Sequence, residues 1–157
     1  MTIDSLAKVI LSYRNDISNK KLQKLAYYVY AWHLAIKGYE IADMTFEAWE
    51  HGPVCRRLYN NYRNYGWSAI PQYKGFVLAN DNDINFVECV LRVYGVYTAD
   101  ELEDMTHNEG PWNEARHGCP SNVASDAVIS KDSILRYYSN QHEIKNRIMS
   151  CLELVDL

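Results

Sequence analysis

Apolar residues recur at helical spacing from the start of the chain. Leu6, Val9, Ile10 and Tyr13 predict an amphipathic helix with Asp4 near its start. Ser18 or Asn19 caps a second helix, which runs through Leu22, Leu25, Val29, Trp32 and Ile36 to Gly38. From Leu25 to Ile36 every position except His33 is apolar or aromatic. A helical stretch that is apolar all round but only about three turns long belongs in the centre of a core, not across a bilayer. After Gly38 the period changes. Ile41, and then Phe46, Ala48 and His51 against Glu47, Trp49 and Glu50, predict short extended pieces. His51-Gly52-Pro53 punctuates the chain before a helical stripe of Val54, Leu58, Tyr62 and Tyr65, with Arg56, Asn60 and Arg63 on the opposite, wet face.

Residues 66–81 read as loop, with Phe76-Val77-Leu78 as a second strand. Ile84, Val87, Leu91 and Tyr94 mark the next helix, closed by Gly95. Thr98 and Glu101 have the spacing of a capping box and open a short helix through Leu102 and Met105. Pro111 begins a short piece from Trp112 to His117, and Ser130 caps a helix carrying Ile134, Leu135 and Tyr138. A last helix carries Ile144, Ile148, Leu152 and Val155 on one side. That stripe covers the core, pairs with a second copy or meets a partner. The expected fold is mainly α: a compact single-domain helical fold around a central apolar helix at about 19–37, with two or three short β-strands.

Composition narrows the class. The chain has 157 residues, 48% of them hydrophobic, which excludes disorder and suits one domain with its own core. Met1 to Ser5 has neither a basic segment nor an apolar signal core, so a cytoplasmic location is expected and a membrane is not. Thirteen tyrosines and four tryptophans stand against three phenylalanines, so the core is expected to carry polar tips. The net charge of −4 is unevenly spread: residues 1–75 carry +4 and residues 76–157 carry −8. Acidity peaks at Asp100, Glu101, Glu103, Asp104 and Glu109, as a solvated helix face or as a patch facing a basic partner. Direct nucleic-acid binding is disfavoured, because only Lys20, Lys21 and Lys24 cluster.

Candidate chemistry is sparse. Four cysteines are too few for a disulfide scaffold, and because Cys55, Cys89, Cys119 and Cys151 lie far apart, without a Cys-x-x-Cys or His-x-x-x-His pair, no metal site is expected. Seven scattered glycines offer no phosphate loop, and no cofactor is expected. Cys55, at a helix start near His51, is the one arrangement that suggests a Cys/His hydrolase, against its reading as a small buried core residue. His51 and His107 are candidates for tying down turns through backbone carbonyls. Trp49 and Trp112 are core plugs or interface anchors.

Four stretches carry a resemblance when taken in order. They are Lys21-Leu22-Gln23-Lys24-Leu25-Ala26-Tyr27-Tyr28; Ala48-Trp49-Glu50-His51-Gly52-Pro53-Val54 with Leu58-Tyr59; Leu102 to His107 with Pro111-Trp112; and Ile129-Ser130 leading to Tyr137-Tyr138. Together they resemble the Panacea, or SocA-like, antitoxin domain family of phage-associated proteins. The resemblance covers residues 4–138 and leaves 139–157 as a C-terminal helical extension. It implies a helical, non-enzymatic protein that neutralises a cognate bacterial or prophage toxin by direct binding, or an adaptor that delivers a toxin to a ClpXP-type protease. It supplies no catalytic residue and leaves a homo-oligomer open. The residues expected to meet a partner are Trp49, His51, Arg56, His107 and Trp112.

Overall fold

A computed structural model of the chain describes residues 1–155. Helix α1 (Ile3–Tyr13) opens at Thr2, whose hydroxyl accepts from the Ser5 N–H. Helix α2 (Asn19–Lys37) opens at Ser18, whose side chain accepts from Lys21, and stops at Gly38 in the left-handed region. Most of α2 is buried on every side, so the apolar run predicted as the central helix is the centre of the molecule. Around it lie α3 (Arg56–Tyr62), a 3-10 turn (Arg63–Tyr65), α4 (Asp81–Tyr94), α5 (Ala99–His107), α6 (Gly110–Arg116), α7 (Lys131–Tyr138) and α8 (His142–Val155). α2 packs against α1, α3, α4, α5 and α7. The fold is mainly α, as expected.

The sheet differs in place from expectation. Strand β1 (Glu47–Trp49) pairs antiparallel with β2 (Gly52–Val54), in the register Ala48 opposite Pro53. The Gly-Pro punctuation therefore lies inside a strand. Phe76 to Leu78 forms no strand; Phe76 and Leu78 are exposed. Backbone bonds from Ile70 to Ile17 and from Tyr73 to Leu11 tie that loop to the α1–α2 connection. Pro53 fits because β2 is an edge strand, where a missing N–H costs no ladder bond. The far side of β1 pairs with residues 127–129, through Ala48 N–H to Ala127 O and Ile129 N–H to Phe46 O. Tyr65, expected inward, is exposed because the helix tightens into the 3-10 turn after Tyr62.

The aromatic excess packs as a cluster with its polar tips paired. The Tyr28 and Tyr94 rings stack at 3.9 Å, and the Trp32 indole donates to the Tyr94 hydroxyl at 2.8 Å. Tyr28 and Tyr138 both donate to Oε1 of the half-buried Glu109, at 2.8 and 2.9 Å. His33 lies in the core with Nδ1 on the Tyr39 carbonyl. A disulfide between Cys89 and Cys151 fastens α8 to α4, a pairing 62 residues apart that no local spacing announces. Ile148 is fully buried beside it, so α8 covers the core. The last two residues of the expected 139–157 extension lie outside the described residues.

Candidate functional site

The β1–β2 hairpin is anchored from beneath by α2. Lys24, only 1% exposed, sends its ammonium to the Pro53 carbonyl at 2.9 Å. Gly52 has φ +106°, and a Cβ there would lie 2.5 Å from Lys24 Cε, so glycine answers two demands at once. Burial, with repulsion from Lys20, lowers the Lys24 pKa to about 7. Gln23 links the same elements: its Nε2 donates to Asn19 Oδ1, and its Oε1 accepts from the Cys55 N–H.

Above this floor opens a groove of about 660 Å³. Lys20, Lys24, Trp49, Arg56, Tyr59 and Arg63 form much of its lining. Glu47 organises one wall, accepting from the Trp49 indole at 3.0 Å and from Arg56 at 2.8 Å. The Arg56 guanidinium lies 5.2 Å from the Trp49 ring, and Tyr59 packs on Trp49 at 5.0 Å. Burial works against ionisation of Glu47, but hydrogen bonds from Arg56 and Trp49 outweigh it and hold the carboxyl below its ordinary value. Trp67, 79% exposed, stands at the mouth.

Of the residues expected to meet a partner, Trp49, His51 and Arg56 come together on this groove. His107 and Trp112 lie outside its lining. Trp112 is buried with its indole on the Trp49 carbonyl at 2.8 Å, and His107 stacks on it at 4.0 Å. They support the wall from behind. Arg116 completes that support, donating to the Ala48, Pro120 and Val123 carbonyls and lying 4.5 Å over the Trp112 ring.

The expected acidic patch is largely used inside the molecule. Asp100 pairs with Lys20 at 2.7 Å, and Glu103 with Lys20 at 3.2 Å and His51 at 2.7 Å. Glu101 closes the capping box with Thr98. Glu109 is half-buried with its carboxyl turned inward, and desolvation raises its pKa to about 7 despite the two tyrosine hydroxyls. Cys55 and His51 do not form a pair: the cysteine is 2% exposed, and His51 turns to Glu103. Lys24, Tyr59, Arg63 and Trp67 were not anticipated as partners of Trp49, because the groove arises where α2, the hairpin and α3 meet.

The groove brings aromatic, cationic and acidic side chains of α2, the hairpin, α3 and residues 124–126 onto one concave surface. The family of the chain follows from comparison. Residues 22–113 match the model of the SocA-like antitoxin, Panacea domain, and the chain belongs to that family. It is 32% identical over 124 residues to the Antitoxin SocA of Caulobacter vibrioides (strain NA1000 / CB15N). That similarity covers 68% of this chain, which spans 64% of the relative's length. No solved structure matches the chain. Among the described residues, no helix is long and apolar enough to cross a membrane.

Proposed function

We propose that this protein is an antitoxin, which neutralises a cognate toxin by direct binding through the groove between α2, the hairpin and α3, without catalysis. The carrying observation is that Trp49, His51 and Arg56, together with Lys24, Tyr59 and Arg63, line one groove, and that these six residues all fall in the stretch that matches the antitoxin family. Large aromatics beside an arginine have the composition of interface hot spots, and a rigid wall loses little entropy on binding. Neutralisation is by occlusion. The Cys/His hydrolase alternative loses its support, since Cys55 is buried and His51 is paired elsewhere.

Co-expression with the product of the adjacent gene tests this. The chain is expected to restore growth and to co-purify with that product, and Arg56→Glu to weaken the complex by about tenfold or more. Absence of both rescue and complex formation overturns the proposal. Delivery to a ClpXP-type protease would show instead as toxin turnover that requires the protease.

A further inference from the structure

The groove has a polarity that the chain's overall charge hides. Residues 51–80, which supply α3, the 3-10 turn and Trp67, contain four cations and not one Asp or Glu, and two of those cations, Arg56 and Arg63, line the groove. The rest of the chain carries −8. The anion that meets Arg56 comes from β1. Lys24 on the floor is 1% exposed and turned to the Pro53 carbonyl, and Lys20 is paired with Asp100 and Glu103, which leaves Arg63 as the exposed cation of the lining without an acidic partner among the described residues. The anions of the lining, Glu50 and Asp126, lie outside this segment. Between the cations stand the faces of Trp49, Tyr59 and Trp67.

We infer that the groove receives an acidic polypeptide segment of the partner, its carboxylates along the side formed by Arg56 of α3 and Arg63 of the 3-10 turn, and an aromatic or aliphatic side chain against Trp49, Tyr59 and Trp67. This rests on the antitoxin reading and names the chemistry of the toxin segment. Glu50 and Asp126 repel carboxylates from their own positions, so they fix which way the segment lies. An RNA strand would need phosphate contacts along its whole length, and those two anions oppose that.

The test uses the purified full chain and a random dodecapeptide display library, with a 12-nucleotide single-stranded RNA as comparison. Selected peptides are expected to combine Asp or Glu with an aromatic or leucine. A synthetic consensus peptide should lose affinity about tenfold or more on Arg63→Glu, and on raising salt from about 50 to 300 mM. Trp67→Ala should weaken it as well, and Arg147→Glu on α8 should leave it unchanged. Both groove substitutions fall on exposed side chains, and unchanged melting curves will show that the fold is kept. A basic or uncharged consensus, indifference to Arg63→Glu, or RNA binding tighter than any peptide overturns the inference. The display needs no toxin. A chain that selects acidic peptides but rescues no cell therefore loses the antitoxin reading and keeps this surface.

Discussion

Burial sets the ionisation of Glu109 and Lys24 in opposite directions, and both titrate at about pH 7 in the fold. Unfolded Glu109 loses its proton near 4.5, whereas the folded residue keeps it to about 7. Its contribution is therefore whole below pH 4.5 and is lost as pH rises through 7, by about 3 kcal/mol at most. Lys24 behaves conversely, since the unfolded chain holds the extra proton between 7 and 10.5, and stability is regained as pH climbs through that window. Glu109→Gln should remove the first effect while preserving the packing, because both tyrosines donate to Oε1 alone. Urea unfolding at a series of pH values checks it. Buried His33 and half-buried His107, both held below the ordinary imidazole value by burial, act in the opposite sense, so the difference from the native chain is the quantity to read. A difference that does not change between pH 5 and 7 would contradict the assignment. At Gly52, alanine meets both a left-handed backbone and the Lys24 stem, and should cost about 2 kcal/mol or more in the same measurement.

Helix α8 packs chiefly on α4, where Ile148 alone among its residues is fully buried. The Cys89–Cys151 bond closes a loop of 62 residues, for which chain entropy gives about 4 kcal/mol as an upper figure. Reduction, or Cys151→Ser, should lower the melting temperature and speed amide exchange first in α8; uniform exchange would speak against the staple. Caps behave more locally. Ser18→Ala removes the bond to Lys21 N–H and should cost about 1 kcal/mol by chemical denaturation. These two features also mark the limit of what the sequence discloses. Ser18, Thr98 and Ser130 are local signals, three residues from the N–H groups they satisfy, and were readable at once. The central helix was legible because its apolar run leaves it no exposed face. Strand Phe76–Leu78 was wrongly expected, because three apolar residues with no neighbouring strand look the same on paper as three with one. The cysteine pairing and the bonds of Glu109 to Tyr28 and Tyr138 depend on which helices meet, so no window along the chain contains them. The site divides the same way: Trp49, His51 and Arg56 announce themselves beside Gly52-Pro53. Lys24, Arg63 and Trp67 join them only through packing.

Because α2 touches most other elements, its loss should be felt everywhere. Leu25→Ala, at a fully buried position, should cost about 2–5 kcal/mol, with a single cooperative unfolding transition retained by both circular dichroism and tyrosine fluorescence. Non-coincident transitions would show that the molecule is less unified than its central helix implies. The charge map acts at the same level. A cationic groove on an otherwise acidic body attracts a negative segment at close range and repels it elsewhere, so productive encounters are oriented before contact. The disulfide, finally, alters how the molecule answers force. A pull on the chain beyond Val155 passes through Cys151 directly into α4 and the core, so the whole domain must yield at once. With the bond reduced, the same pull peels α8 away turn by turn. An unfolding machine working from that end would meet a rigid body in oxidising surroundings and a frayed handle in reducing ones.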